Sequence, residues 1–340
     1  MELTHIHRPV DARPASVPGT RPLLSVVIPA HDEADVIGGT LQRIARLAPE
    51  LDGAIETIVV SDGSADDTFD EAVAGLDPGL PGTVIELATN VGSHAAIRCG
   101  LRYATGECVA IMSADGQDPP EVLPVMVRKL RSPVDVAWGR RRDRDNDRSG
   151  VRRSAGAYYR LFRVLTGLEY PPGGLDFLVA RRRVIEAVLE CSSRNTSLHL
   201  LIYNLGFPQS FIEYERGPRG GGQSSWTLRK RLKLAVDMLT GVSAGPIRIA
   251  ALIGLGACLA GIALGGASVL RAAIGDAQVP GWASLMVLGS IASGSMLVAI
   301  WLLGEYVWRI LDEVRGVPPF IEARHEHVGA APGLAPLEWK

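Results

Sequence analysis

The chain has few cysteines, and none of them stands in a paired motif. Its 340 residues include only four, which lie far apart at Cys99, Cys108, Cys191 and Cys258. Without a CxxC pair, the sequence offers neither the usual spacing of a structural zinc site nor the disulfide framework of a secreted protein. The pattern fits a reducing compartment.

The chain also lacks a strong net charge, an internal repeat and a low-complexity tract. Its formal net charge is -2, which gives no reason to expect nucleic acid as a partner. Residues 1–21 contain proline and polar residues but no apolar run of the kind found in secretion signals. We expect this segment to be a disordered lead-in.

Two long stretches without charged residues are present, at residues 249–270 and 282–304. As a helix, each is long enough to cross roughly 30 Å of hydrocarbon. The alternative is a helical hairpin buried in a soluble core, but such helices usually carry a polar face, and here only Ser and Gly interrupt the apolar residues. Gly261 and Gly265, followed by Ser290 and Gly294, predict close helix approach and hence a homo-oligomer formed through these helices.

Basic residues flank the two stretches and are scarce between them. Four stand at Arg229, Lys230, Arg231 and Lys233, whereas the connection contains Asp276 and only one base at its start. By the positive-inside rule, both flanks are cytoplasmic. We therefore expect a multi-pass inner-membrane protein with an amphipathic interfacial helix at 226–245, a membrane segment at 246–311 and a cytoplasmic tail at 312–340.

Residues 22–225 alternate short apolar runs with helical patterns. Five runs predict buried strands, at residues 23–29, 55–60, 83–87, 108–112 and 134–138. This alternation predicts an α/β domain with a mostly parallel sheet and helices on both faces. In such sheets, ligands bind beyond the carboxyl ends of the strands.

Acidic loops follow three of these predicted strands. They read PAHDE at 29–33, SDGSADDT at 61–68 and SADGQDPPE at 113–121. One such loop is usually a solvated turn or a helix N-cap. Three at one sheet edge predict a pocket for a sugar nucleotide with Mg²⁺ or Mn²⁺, because these ions prefer oxygen ligands and take one or two protein carboxylates.

The order of these motifs, together with NVGSHAAIRCGL, GGLDFLVARR and the terminal GEYVWRILDEVRG, resembles family-2 glycosyltransferases. The most similar branch is the polyprenyl-phosphate sugar transferases, related to dolichyl-phosphate mannose synthase. The resemblance implies the GT-A fold. It also implies a membrane-anchored, inverting enzyme that moves one sugar from a UDP- or GDP-linked donor to a polyprenyl phosphate at the cytoplasmic leaflet, for cell-surface glycan biosynthesis or modification.

The resemblance also implies roles for individual residues. Asp115 is the expected metal ligand near the donor diphosphate, and Asp176 is the expected catalytic base near the acceptor. His31 is expected to make a packing or polar contact rather than to act as a base. The residues expected to bind the nucleotide sugar are Pro29, His31, Glu33, Asp62, Asn90, Gln117 and Asp118.

Arginines are the expected ligands of the phosphate groups. Arg140 belongs to a run just after the fifth predicted strand. Arg216 and Arg219 lie beside a glycine loop, and the resemblance matches them to a family loop that closes over the site. Arginine binds phosphate in a forked geometry. A solvated surface loop is the alternative for the run that includes Arg140, because aspartates alternate with its bases.

The sequence departs from the family pattern at two acidic positions, which are occupied by Ser61 and Ser113. A non-catalytic membrane scaffold is therefore one alternative, although Asp62, Asp115 and Asp176 argue against it. A lipid-linked oligosaccharide or glycan acceptor is another. A processive synthase would need more spans and a QxxRW motif. A transporter is not expected, since two spans without buried charge offer no pathway.

Overall fold

The computed structural model describes residues 21–51, 53–76, 80–130, 133–142, 175–191, 197–215, 217, 245–274, 282–315 and 318–329. The strands in these ranges are β1 (Leu24–Ala30), β2 (Ile55–Ser61), β3 (Gly82–Leu87), β4 (Cys108–Ile111), β5 (Val136–Arg141), β6 (Leu178–Arg181), β7 (Gln209–Tyr214) and β8 (Glu322–Val328). The α-helices are α1 (Ala34–Ala45), α2 (Thr68–Gly75), α3 (Ser93–Tyr103), α4 (Leu123–Lys129), α5 (Arg182–Glu190), α6 (Leu198–Asn204), α7 (Gly245–Ala273) and α8 (Trp282–Val314).

The described strands form one sheet in the order β7-β5-β6-β4-β1-β2-β3-β8. Neighbours β4, β1, β2 and β3 are parallel, and β5 is parallel to β7. Strand β6 runs antiparallel to both of its neighbours, and β8 runs antiparallel to β3. The predicted mostly parallel sheet is confirmed.

The sheet is buried on both faces, as expected of apolar strands in an α/β domain. Every residue of β2 is buried, and β1 is buried except for a half-buried Pro29. On one face, side chains of α1, α2 and α4 pack against the sheet, including Ile37, Phe69 and Met126. On the other face α3, α5 and α6 contribute to a second core. Helices on both faces confirm the predicted fold class.

The five predicted strands all form, with ends that differ by a few residues. The fifth extends to Arg141, which brings two consecutive arginines into regular structure. Strands β6, β7 and β8 were not predicted. Residues 1–20, most of the predicted interfacial helix at 226–245, and the candidates Arg216 and Arg219 lie outside the described residues.

Helices α7 and α8 are long and apolar enough to cross a membrane. Their apolar windows span Ala250–Ala267 and Val287–Trp308, and only 6% of each window is buried. Leu252, Ile262 and Leu297 are each about two-thirds exposed. Such low burial is unlike a hairpin in a soluble core, since large apolar surfaces on soluble proteins are normally covered.

Among the described glycines of α7 and α8, a Cβ atom added at Gly254 would make a contact within 4 Å across the two helices. A Cβ atom built on Gly261, Gly265 or Gly294 would meet no atom within 4 Å, whereas one on Gly254 would lie 3.4 Å from the Ser295 hydroxyl. Gly261 and Gly265 follow Gly254 by seven and eleven residues, so they lie on the same face of α7 and are half-buried, whereas Gly294 is exposed. The homo-oligomer remains a prediction.

Strand β8 returns the chain from α8 to the edge of the catalytic sheet. It pairs with β3 from Gly82↔Val328 to Leu87↔Glu322. The Tyr103 hydroxyl donates to Glu322 at 2.6 Å, and Arg324 donates to Glu86 at 2.5 Å. Residues assigned to a tail from sequence thus include a strand of the sheet, which covers the hydrogen-bonding edge of β3.

Replacement of Glu322 by alanine should destabilise the sheet edge. The Tyr103 hydroxyl would lose its carboxylate partner in a half-buried position, at a cost of about 1 kcal/mol. We expect a lower thermal unfolding midpoint of the detergent-solubilised protein. Glu326→Ala is the matched control, because Glu326 lies on the same strand and is exposed. Equal midpoints for the two variants would contradict the anchoring role of Glu322.

Candidate active site

The candidate residues converge at one edge of the sheet. Because β4, β1 and β2 are parallel neighbours, the loops that follow them leave from the same edge. Asp176 stands two residues before Leu178, which pairs with Ile111 at the end of β4. Asp176 therefore lies at this edge as well, even though β6 is antiparallel.

The loops after β1 and β2 are braced against each other by hydrogen bonds. Asp32 adopts a left-handed backbone with a φ of 55°, and its carboxylate accepts the N–H of Ala65 at 2.8 Å. In return, the Asp66 carboxylate accepts the N–H of Ala34 at 3.1 Å. Burial alone would raise the pKa of Asp66, but hydrogen bonds from Thr68 and Ala34 outweigh it and lower the pKa. Asp66 therefore acts as a brace between loops.

The Asp62 carboxylate holds the loop that leads into α3. One oxygen accepts the N–H of Val91 at 2.8 Å, and the other accepts the N–H of Gly92 at 2.9 Å. Asp62 is only 3% exposed, and its own N–H donates to the carbonyl of Ala30. Its side chain thus ties the ends of β1 and β2 to the third loop. Recognition of the nucleotide base by Asp62 remains a prediction.

His31 links the same loops through both ring nitrogens. Nδ1 lies 3.0 Å from the carbonyl of Asp62, and Nε2 lies 2.9 Å from the side-chain nitrogen of Asn90. A neutral ring with its proton on Nδ1 satisfies both contacts, because it donates to the carbonyl and accepts from the amide. This arrangement agrees with the polar-contact role expected of His31.

The glycine of the SDGS motif allows the second and third loops to meet. Gly63 has a φ of 58°, and a Cβ atom at this position would lie 2.5 Å from the backbone nitrogen of Asn90. The preceding Ser61 is fully buried, and its hydroxyl donates to the Ser64 hydroxyl at 2.9 Å. The serine that replaces a family acid is therefore a satisfied buried residue.

The loop after β4 presents Asp115 at the candidate metal position. One oxygen of Asp115 accepts the N–H of Gln117 at 3.1 Å, and the hydroxyl of Ser113 accepts the N–H of Asp115 at 3.4 Å. Ser113 thus shapes the backbone of the loop where many family members carry an acid. Asp115 itself is half-buried.

The donor set fits a metal that is held partly by the substrate. Among the described residues, no group of three or more His, Cys, Asp or Glu side chains is arranged to bind an ion. Mg²⁺ commonly takes one or two protein carboxylates and fills its octahedron with phosphate oxygens and water. Asp115, as a single oxygen ligand, is compatible with that mode.

Two further candidates from the same loop take different positions. Asp118 is fully buried, and its carboxylate accepts a 2.6 Å hydrogen bond from the Tyr214 hydroxyl. The carbonyl of Gln117 accepts the N–H of Gly217, which follows β7. Asp118 and Gln117 thus hold this loop to the end of β7. A third candidate, Glu33, belongs to the loop after β1, where it is half-buried and directly precedes α1.

The arginine beside Asp176 is Arg141, next to the Arg140 expected from sequence. Arg141 donates to the Asp176 carboxylate at 2.6 Å, and the side chain of Asp176 is 56% exposed. Arg140 instead stacks over the ring of Phe211, with 4.4 Å between its guanidinium carbon and the ring centre. Because successive strand residues point to opposite faces of a sheet, the two arginine side chains lie on opposite sides of β5. Phosphate binding by Arg140 remains untested.

Two histidine rings lie close to Asp176. The centres of the His94 and His199 rings are 5.7 Å apart, and His199 makes a hydrogen bond with the backbone of Asp176. Burial lowers the pKa of both rings. For His199, the neighbouring His94 lowers it further, while Asp176 opposes the shift. His94 Nδ1 and His199 Nε2 have no hydrogen-bond partner.

Comparisons with known proteins agree with this geometry. The profile described as "Glycosyl transferase family 2" matches residues 25–189. The uncharacterized glycosyltransferase YkcC of Bacillus subtilis is 30% identical over 306 residues, which cover 87% of this chain and 92% of that protein. The chain belongs to glycosyl transferase family 2. It is therefore a glycosyltransferase, and its sheet is that of the GT-A fold.

Other relatives have more specific names. An undecaprenyl-phosphate 4-deoxy-4-formamido-L-arabinose transferase of Pseudomonas aeruginosa is 33% identical over 323 residues, covering 92% of this glycosyltransferase and 93% of that protein. Among solved structures, glucosyl-3-phosphoglycerate synthase from Mycobacterium tuberculosis with Mg²⁺ and uridine diphosphate has a TM-score of 0.46 and 20% identity. The match covers 65% of this chain and 78% of that chain.

Sequence reasoning singled out Arg140 rather than Arg141 from the same run, and it missed Tyr214 and His199. The two-residue period of β5 separates Arg140 from Arg141, but the period does not indicate which of them faces the cleft. Tyr214 is the register partner of Arg141 on a strand that was not predicted. His199 lies in α6, which the sequence analysis did not identify.

Substitution of Asp62 by asparagine should destabilise this glycosyltransferase. The amide nitrogen would face a backbone N–H of Val91 or Gly92, and one buried donor would lose its acceptor, at a cost of about 1–3 kcal/mol. Thermal unfolding in detergent measures the loss. Asp70→Asn is the matched control, because the Asp70 side chain is 65% exposed. If Asp62→Asn unfolds at the wild-type temperature, the bracing role is wrong.

The histidine pair should make stability depend on pH. Both folded pKa values are lowered, so below about 6.5 the unfolded chain binds more protons than the folded chain. Stability from this source is complete above about pH 6.5 and decreases as the pH falls towards the lowered values.

We expect wild-type protein to lose about 1–2 kcal/mol more between pH 7.5 and 5 than His199→Gln does. Denaturation profiles at the two pH values provide the measurement. Exposed His325, replaced by glutamine, is the control. An unaltered pH dependence in His199→Gln would exclude the pair as its source.

Proposed function

We propose that this glycosyltransferase is anchored in the inner membrane and moves one sugar, with inversion, from a UDP- or GDP-linked donor to a polyprenyl phosphate on the cytoplasmic side. One observation carries the proposal. The Asp115 loop and the Asp176–Arg141 pair lie at the same sheet edge of a chain that also carries two exposed apolar helices. One molecule thus carries candidate groups for donor binding, for acceptor binding and for membrane attachment.

The names of relatives support the acceptor. The P. aeruginosa relative and its counterpart from Serratia proteamaculans, which is 31% identical over 304 residues, are both named as undecaprenyl-phosphate transferases. The P. aeruginosa alignment covers 92% of this chain, so it includes the apolar windows of both helices. A polyprenyl phosphate acceptor explains why a soluble α/β domain would carry such helices.

On the donor side, Asp115 would hold Mg²⁺ or Mn²⁺ beside the diphosphate. When bound, such an ion offsets negative charge that develops on the departing nucleoside diphosphate. The braced loops that contain His31, Asp62 and Asn90 would hold the nucleoside. Their mutual hydrogen bonds form before a ligand arrives, so little ordering is left to be done on binding.

On the acceptor side, the reaction needs little help from a general base. A phosphate monoester has a second pKa of about 6, so at pH 7 the acceptor is mostly a dianion. One of its oxygens attacks the anomeric carbon, the bond from that carbon to the diphosphate oxygen breaks, and the configuration inverts in a single displacement. Asp176 takes any remaining proton, and Arg141 offsets the charge that collects between carboxylate and phosphate.

The path of the chain supports a hairpin with both ends on the catalytic side. Helix α7 leaves the domain, α8 follows it, and β8 then pairs with β3 of the catalytic sheet. The two flanks of the hairpin therefore belong on one side of a bilayer. The basic residues at 229–233 favour the cytoplasmic side, in line with the positive-inside rule.

The test is sugar transfer by the purified protein in detergent with undecaprenyl phosphate, Mg²⁺ or Mn²⁺ and a panel of radiolabelled UDP- and GDP-sugars. We expect label from one donor to enter the organic phase. Chelator and Asp115→Asn should each reduce the rate at least about 100-fold, because both remove charge compensation at the diphosphate. Asp176→Asn should lower kcat more than it changes the donor KM.

The control is Asp70→Asn, an exposed change on α2 that should leave the transfer rate unaltered. Transfer only to a lipid-linked oligosaccharide or glycan would replace the proposed acceptor. Nucleotide binding without transfer to any acceptor would favour a scaffold. The donor that reacts would identify both the sugar and the nucleotide.

A further inference from the structure

Four polar side chains form a continuous chain from the donor loop to Asp176. The Tyr214 hydroxyl donates to Asp118 at 2.6 Å. The Arg141 guanidinium donates to Tyr214 and, at 2.6 Å, to Asp176. Asp118 lies three residues after the candidate metal ligand Asp115. These contacts connect the two halves of the site.

The inner members of this chain are held rigidly. Asp118 is 0% exposed and Tyr214 is 5% exposed, so their hydrogen bond is shielded from water. The ring of Tyr214 meets the Phe177 ring edge-on, with centres 5.6 Å apart. Gly139 leaves room for both rings, because a Cβ atom there would lie 2.7 Å from Phe177 and 2.8 Å from Tyr214. Such packing fixes the orientation of the Tyr214 ring and therefore the position of its hydroxyl.

This arrangement costs stability. One oxygen of Asp118 is buried without a hydrogen-bond partner. Burial raises the pKa of Asp118, and the bond from Tyr214 and the charge of Arg141 only partly oppose that shift. A buried carboxylate is expensive to keep in a fold, and apolar residues of similar volume often serve the fold at least as well. Its position between the two substrate sides offers a functional reason for that cost.

The backbone adds a second connection between the same segments. Tyr214 ends β7, and three residues later the N–H of Gly217 donates to the carbonyl of Gln117 at 2.9 Å. The donor loop is thus tied to the end of β7 through a side chain and through the main chain. A displacement of either segment would also shift Arg141, because Arg141 is the register partner of Tyr214.

We propose that Tyr214 and Asp118 are positioning residues, which orient Arg141 and through it set the place of Asp176 relative to the donor loop. The proposal rests on the proposed transfer reaction. Neither residue needs to touch a substrate. Their loss should lower kcat, the rate of transfer once both substrates are bound, because they determine how Asp176 is placed relative to the acceptor.

The test compares Tyr214→Phe with Tyr103→Phe in the full-length protein. Each variant loses one hydroxyl that donates to a carboxylate at 2.6 Å, but Tyr103 bonds Glu322 at the far edge of the sheet. We expect Tyr214→Phe to lower kcat for transfer about tenfold, with the donor KM within about twofold of wild type. Tyr103→Phe should retain the wild-type kcat. A similar kcat in both variants would overturn the proposal.

A second measurement needs no turnover. Phenylglyoxal labels accessible arginines, and the Arg141 side chain is 19% exposed. Peptide mass spectrometry should show faster labelling of Arg141 in Tyr214→Phe and Asp118→Leu than in wild type. Tyr103→Phe should label at the wild-type rate, and so should Asp118→Asn, which keeps an oxygen for Tyr214. Unchanged labelling in Tyr214→Phe would overturn the positioning role whatever the kinetics show.

The two measurements separate this proposal from the proposed function. If wild-type protein transfers no sugar to any acceptor, the proposed function fails, and the labelling of Arg141 alone decides whether Tyr214 and Asp118 position it. If wild-type protein is active and both Tyr214 readouts match the control, the reaction stands and the positioning role is wrong.

Discussion

The site depends on one buried carboxylate, that of Asp62, which accepts the backbone N–H groups of Val91 and Gly92. This contact joins the end of β2 to the loop before α3 and brings Asn90 within reach of His31. Charge-assisted bonds of this kind are stronger than bonds between neutral groups, and burial protects them from water. A pocket wall built from three loops thereby gains a fixed shape before a ligand binds.

The proposed acceptor side around Asp176 follows a different principle, in which charged groups are balanced against each other. Asp176 is exposed and meets Arg141, while two buried neutral histidine rings lie behind it. A guanidinium beside a carboxylate gives a place for an anionic acceptor without leaving a bare negative group in the cleft. In the proposed reaction, the Asp176 carboxylate would lie near the attacking oxygen of the acceptor.

The two apolar helices are connected to the sheet of the glycosyltransferase domain through β8, which pairs with β3. A chain that merely ended after α8 would leave the edge of β3 unpaired, and an open edge is prone to pair with other chains. Pairing with β8 fills that edge and ties α8 to the domain through Glu322 and Arg324. In the proposed membrane arrangement, this pairing would hold the C-terminal end of α8 close to the catalytic domain.

The sequence by itself determined the α/β class, the five predicted strands, the two apolar helices and the acidic loops at one edge. Residue period and segment length are local properties, and a helix between successive strands favours parallel pairing. The tertiary structure decided which arginine faces Asp176, which histidines lie behind it and where residues 322–328 pair. Those outcomes depend on strand register and on contacts between residues far apart in the chain. No local pattern records such contacts: Arg140 and Arg141 are identical as letters and differ only in the face that β5 gives them.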